Sequence, residues 1–180
     1  MVARARESAL IVEVPEAEHA VGRHRQALDV HARLGVPAHI TVLYPFMPAG
    51  AIGSSVLEQL RRIFRSTATF PFRLTSTAWF GDDVLWLAPA DPQPFRAVTA
   101  LVFAAFPDYP PSAGQYADVV PHLTVAHGCS LADMQAAEQA VRQDLPIHGW
   151  VRSVSLMVQP DSSGIWSRHT RFSLADTQGT

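Results

Sequence analysis

Two stretches decide how this chain reads: Pro37-Ala38-His39-Ile40-Thr41-Val42-Leu43-Tyr44-Pro45-Phe46 and, 83 positions further on, Val120-Pro121-His122-Leu123-Thr124-Val125-Ala126-His127. Each is a His-apolar-Thr-apolar run with proline just before it. In a chain of this composition about 0.1 such quadruplets are expected by chance, so two of them carry information. In a strand, residues two apart share a face and stand about 6.5 Å from each other. Each run therefore sets an imidazole beside a hydroxyl, while Ile40 and Val42, or Leu123 and Val125, face the core.

Working outward, the two runs occupy the same place in a series that is read twice. Ala9 to Val14 reads as a buried strand ended by Pro15, and Glu16 to Leu34 as a helix with Ala17, Val21, Leu28 and Ala32 on one face, closed by Gly35. The strand Ala38 to Phe46 follows, then a helix through Leu57, Leu60 and Phe64 with Ser55 and Glu58 as a capping box, then a hairpin of Phe70 to Phe80 and Val84 to Ala88 around Gly81-Asp82-Asp83. The series restarts with Asp91-Pro92 opening a helix through Phe95, Val98 and Val102, followed by a proline-rich loop from Pro107 to Gly114 and a strand from Val119 to Ala126. Ser130 and Asp133 cap a helix running to Leu145, and Trp150 to Val158 and Ile165 to Leu174 form a closing strand pair about Asp161-Ser162-Ser163-Gly164. The expectation is one α+β domain over residues 1–180, built from pseudo-repeats of about 8–88 and 84–175. A pseudo-two-fold between them brings both His-x-Thr strands to one cleft.

Composition narrows the chemistry. The chain has 180 residues and 19.6 kDa, 48% hydrophobic and 17% charged, the profile of a soluble globular chain. All 14 basic residues are arginine, which removes the P-loop lysine, Schiff bases and lysyl-adenylates. Asparagine is absent, and the single cysteine, Cys129, makes neither an intramolecular disulfide nor a cysteine-based zinc site. A reducing cytoplasm fits best. No targeting signal is visible, because the apolar run Leu10-Ile11-Val12 is broken by Glu13; nor is there a membrane span. A formal net charge of -2 argues against binding long nucleic acid, while leaving a small phosphorylated ligand or an RNA end.

Two imidazoles and two hydroxyls around a point suit a tetrahedral phosphate. A neutral imidazole takes a proton from the attacking oxygen and an imidazolium gives one to the leaving oxygen, each typically worth 10²- to 10⁴-fold. Hydroxyls hold the non-bridging oxygens, where charge builds. This chemistry needs no metal or other cofactor.

These motifs resemble those of the two-histidine (2H) phosphoesterase superfamily and, within it, the 2′,5′ RNA ligase-like proteins, whose mark is a pair of His-x-Thr/Ser motifs flanked by apolar residues. The resemblance covers nearly the whole chain. It implies a duplicated bilobal fold of two antiparallel sheets flanked by helices, a metal-independent site between them, and hydrolysis of 2′,3′-cyclic phosphates, 2′,5′ linkages or related cyclic nucleotides, with RNA joining as the reverse reaction. It further implies His39 and His122 as the catalytic pair and Thr41 and Thr124 as the phosphate holders. Many RNA-ligase-like members carry an arginine shortly after the second motif, where this chain has Ala126-His127-Gly128.

His127 is therefore a candidate substrate-binding residue, although in a regular strand it falls on the face opposite His122. Tyr44 and Phe46 are candidates for stacking on a base. Arg73, Arg152, Arg168 and Arg171, on expected strands, are alternative cations for the cleft. His24 and His31, two helical turns apart, read as helix surface or packing, and the four tryptophans read as core. The expected partner is a nucleotide or an RNA end, bound by a monomer. Three alternatives stay open: a binding module without catalysis, a hydrolase using Cys129, and a metal hydrolase built on His122 and His127.

Overall fold

The computed structural model describes residues 6–115, 118–159 and 163–176. Eight strands form two antiparallel sheets of four. The first contains β1 (Ser8–Glu13), β2 (His39–Leu43), β7 (Ser153–Val158) and β8 (Ser167–Ser173), in the order β2-β1-β7-β8. The second contains β3 (Phe70–Phe80), β4 (Val84–Pro89), β5 (Leu123–His127) and β6 (Ile147–Val151), in the order β5-β4-β3-β6. Both His-x-Thr segments thus occupy edge strands, and β2 and β5 touch each other where the two lobes meet.

Five helices cover the sheets: α1 (Glu18–Leu28), α2 (Val30–Arg33), α3 (Ser54–Arg65), α4 (Gln93–Ala105) and α5 (Leu131–Val141). Two of them are exchanged between lobes. α1 leaves β1 of the first sheet and packs on β5 of the second, while α4 leaves β4 of the second and packs on β2 of the first. One continuous core results, with Leu10, Ile40 and Leu156 from one sheet and Leu74, Leu87 and Leu123 from the other all fully buried. α3 contributes Leu60 and Phe64, the latter 5.5 Å from the Phe172 ring. Among the described residues no helix is long and apolar enough to cross a membrane.

Several expected elements change in physical detail. The helix expected over Glu16 to Leu34 is broken at Asp29, whose backbone is extended (φ -133°, ψ 113°). Its carboxylate accepts the His31 amide at 3.0 Å, capping α2, and is held from the other side by Arg25 Nη2 at 3.0 Å. The strand expected over Trp150 to Val158 is two strands in different sheets, β6 and β7, divided at Arg152. The Ser55–Glu58 capping box does not form: α3 starts at Ser54 after Gly53 without a side-chain cap, and Glu58 instead accepts from Arg61 at 2.7 Å. The cap at Ser130 is present, its hydroxyl accepting the Asp133 amide at 3.2 Å. The expected closing turn falls partly outside the described residues, which omit Asp161 and Ser162.

Gly35 ends α2 with φ +94° and lets the chain before β8 approach, so that the Trp166 amide donates to the Leu34 carbonyl at 2.7 Å. A Cβ on Gly35 would lie 2.8 Å from the Trp166 carbonyl oxygen, whereas one on Gly81 (φ +55°) would meet nothing within 4 Å. Both alanine variants carry the left-handed backbone penalty of about 1–2 kcal/mol. Gly35→Ala adds a backbone clash, and its thermal midpoint should fall several degrees below that of Gly81→Ala. Equal midpoints would show that the segment carrying Trp166 yields freely.

Candidate active site

One extra residue in each His-x-Thr strand organises the site. Along β1 and β2, Ile11 pairs with Thr41 and Leu10 with Leu43, so Val42 has no partner. Along β4 and β5, Trp86 pairs with Thr124 and Leu85 with Ala126, so Val125 has none. These are β-bulges at equivalent positions, and each resets the alternation of faces. Two successive buried residues follow the threonine, Val42-Leu43 in one case and Val125-Ala126 in the other. The next residue, Tyr44 or His127, then returns to the side of Thr41 or Thr124. The Val42 carbonyl, displaced from the ladder, accepts the buried Thr99 hydroxyl of α4 at 2.8 Å, as a buried backbone oxygen requires.

Between the lobes lies a cleft of about 170 Å³. Its polar end carries His39, Thr41 and Thr124, with Asp29, His31 and His127. Its apolar wall is the outer face of the first sheet, where Ala9, Ile11, Val36, Met157 and Trp166 form a second, smaller hydrophobic cluster. The Tyr44 ring meets Trp166 edge-on at 6.1 Å, and its hydroxyl donates to Glu7 at 2.7 Å.

The two histidines are held in the same way. His39 Nδ1 donates to the Pro37 carbonyl at 2.7 Å, and His122 Nδ1 donates to the Val120 carbonyl at 2.7 Å. A carbonyl only accepts, so Nδ1 keeps its proton and Nε2 is left free for proton transfer. Burial, reinforced by the nearby Arg25 charge, pushes His39 down to about 4, and the charge of His122 acts in the same direction. Burial also lowers His122. His122 is half-buried and is not among the residues that line the cleft, although its charge reaches His39; its ring is edge-on to Phe80 at 5.0 Å and 5.8 Å from Trp86.

Other expected site residues fall differently. Phe46 is 4% exposed and packs in the core against Phe106 at 5.2 Å and Tyr109 at 5.5 Å, so it does not line the cleft and cannot stack on a base. No arginine lines the cleft among the described residues. Arg168 and Arg171 each contact Glu13 at 3.0 Å, Arg152 lies over the Trp150 ring, and Arg73 lines a separate groove with His148. Burial pulls Glu13 upward, but the Ser155 hydroxyl and the two guanidinium groups outweigh it and hold the carboxyl below its usual range. The Cys129 thiol donates to the Leu28 carbonyl at 3.2 Å, which engages it as a thiol outside the cleft. Among the described residues no group of three or more His, Cys, Asp or Glu side chains gathers as a metal site.

His31, read from spacing as helix surface, lines the cleft, because the break at Asp29 turns the chain there. Asp29 and Trp166 also line it. Burial raises Asp29, but the His31 hydrogen bond and the Arg25 charge outweigh it and hold the carboxyl at about 2. Asp29 in turn raises His31. The aspartate two residues before His31 is the cue that exposes this: such a residue caps a new turn as readily as it continues an old one.

The fold is that of the LigT-like 2H phosphoesterases. The structure is similar to TT0787 of Thermus thermophilus (19% identity, TM-score 0.61, covering 95% of this chain and 99% of that one) and to E. coli LigT in apo form (14% identity, TM-score 0.59, covering 94% and 98%). E. coli LigT complexed with 3′-AMP is also similar, at 13% identity and TM-score 0.56, covering 96% of this chain and 99% of that one. A search of curated proteins finds no match. The family model described as the 2′-5′ RNA ligase superfamily matches residues 13–162, and the chain belongs to that superfamily.

The His39 environment carries a pH signature. In the unfolded chain an imidazole titrates near 6.5, so between about 6.5 and 4 the unfolded state binds the proton and the folded state does not. The stability due to neutral His39 is thus full above pH 6.5 and is lost as pH falls towards 4. His39→Gln should show a smaller drop in thermal midpoint between pH 7 and pH 5 than the unaltered protein. Imidazole NMR should find His39 neutral at pH 5.5; a titration centred near 6.5 would contradict the burial argument.

Proposed function

We propose that the protein is a phosphodiesterase that opens 2′,3′-cyclic phosphates or cleaves 2′,5′-phosphodiesters on nucleotides and RNA ends, with His39 and His122 as acid and base. The observation that carries this reading is the matched anchoring of the two imidazoles through Nδ1, each two residues before a threonine that a bulge follows on an edge strand. The amphipathic cleft supports the substrate class: a phosphate fits the end with His39, Thr41 and Thr124, and a base fits the wall at Trp166 and Tyr44. That structures of E. coli LigT are complexed with 3′-AMP, ATP and NADP+ is in keeping with a nucleotide ligand.

In the proposed reaction a water oxygen attacks phosphorus opposite a ribose oxygen. The neutral histidine takes the water proton at Nε2 as the new P–O bond forms. The protonated histidine gives its Nε2 proton to the ribose oxygen as that P–O bond breaks. Thr41 and Thr124 hydroxyls donate to the non-bridging oxygens, where negative charge grows. A ribose 5′-hydroxyl in place of water runs the same steps as 2′,5′ ligation, with no activated lysine, which suits a chain that has none. Both depressed imidazoles are neutral in the free protein near neutral pH, and the phosphate charge raises whichever one serves as acid.

Purified protein should hydrolyse a 2′,3′-cyclic nucleotide in the presence of EDTA. His39→Ala and His122→Ala should each lower kcat/KM by about 10²- to 10⁴-fold, and the double variant should fall far short of the product of the two losses. Thr41→Val and Thr124→Val should each cost about 10- to 10³-fold, mostly in kcat. Nucleotide binding without turnover would replace the proposal with a binding module, and activity abolished by EDTA would replace it with a metal mechanism.

A further inference from the structure

We infer that His31 and His127 together form a second phosphate site in the cleft, selecting nucleotides that carry a phosphate besides the reacting one. The inference rests on the phosphoesterase reading of the same cleft.

The two rings come from opposite lobes, His31 from α2 beside the first sheet and His127 from the end of β5 in the second. They lie nearly parallel, 19° apart in plane and 6.5 Å between centroids, and both line the cleft. Each is tied by one ring nitrogen to a carboxylate: His31 Nδ1 stands 3.4 Å from Asp29 and His127 Nε2 stands 3.2 Å from Asp83. The second nitrogen of each ring is left to bind. The Asp29 hydrogen bond favours charged His31, whose ring then donates from both nitrogens. Imidazole N–H groups donate in the ring plane, so the two near-parallel rings present a pair of neighbouring edges, one from each lobe, for a phosphate to bridge.

The charges around the pair favour this arrangement. Asp29, together with the Glu7 charge, favours charged His31 against burial and the Arg25 charge. Asp29 is itself fully buried and locked to Arg25, so the His31 support does not move. Asp83 faces His127 from the β3–β4 turn. With no arginine lining the cleft among the described residues, these rings are the groups placed to meet a second anionic group. We place this second site beside that of the reacting phosphate, at the same polar end of the cleft, with His127 three residues beyond Thr124.

The test compares adenosine 2′,3′-cyclic phosphate with and without a 5′-phosphate, in the unaltered protein and in His31→Gln and His127→Gln, at pH 6 and pH 8. At pH 6 the added phosphate should raise kcat/KM at least about tenfold in the unaltered protein, as charge-assisted hydrogen bonds do. That ratio should shrink at pH 8 and fall close to one in either variant. Equilibrium binding of 3′-AMP against adenosine 3′,5′-bisphosphate should give the same pattern without requiring turnover, which separates failure of this site from failure of the catalytic reading. A ratio near one in the unaltered protein, or a tenfold ratio that survives both substitutions, would overturn the proposal.

Discussion

A single unpaired residue in each edge strand, Val42 in β2 and Val125 in β5, is the constraint on which the site depends. A regular strand offers alternate residues to one face, so a histidine and threonine two apart are followed by a residue of the wrong parity. The bulge changes that parity at the same point in both lobes, giving the cleft His39, Thr41 and Tyr44 from six consecutive positions of the first and Thr124 and His127 from four of the second. An edge strand is where this is least disruptive, since only one neighbour has to absorb the extra residue. In the first lobe the displaced carbonyl is taken by Thr99, so the distortion is built into the packing of α4. In the second lobe the Asp83 carboxylate meets His127 where β5 ends.

Much of this was legible in the chain. The paired His-x-Thr runs, their shared place in a doubled series and the apolar residues between their polar ones led to two strands meeting at one cleft, because strand periodicity is a local property; that both are edge strands came from the structure. What was not legible involved parity or long-range contact. His127 looked misdirected because no residue announces a bulge, and Phe46 looked available because an aromatic at a strand end has the same sequence signature in a core as in a binding wall. His31 was hidden by a helical pattern that Asp29 interrupts, and that break is settled by a buried Arg25–Asp29 pair whose partner contacts run to Val36, outside any helical window. The split of β6 from β7 at Arg152 is likewise a change of sheet, invisible where both pieces are apolar.

The charge economy of the cleft follows from the same details. Arginine is the only strong cation in the sequence, and those near the site are engaged elsewhere, Arg25 by Asp29 and Arg168 and Arg171 by Glu13. Positive charge in the cleft therefore comes from imidazoles, which are neutral or cationic according to what lies beside them. His39 is kept neutral by burial and Arg25, while His31, a short distance along the chain, is pushed the other way by Asp29. One buried Arg–Asp pair thus biases two histidines in opposite directions.

The exchange of α1 and α4 between lobes has a mechanical consequence. Each lobe is roofed by a helix whose preceding strand belongs to the other, so the chain crosses the cleft at two separated places before either sheet is complete. Two such crossings act as opposed ties, and parting the sheets would strip a helix from its bed on each side at once. The spacing between the two histidine strands is thereby tied to the connectivity of the backbone itself.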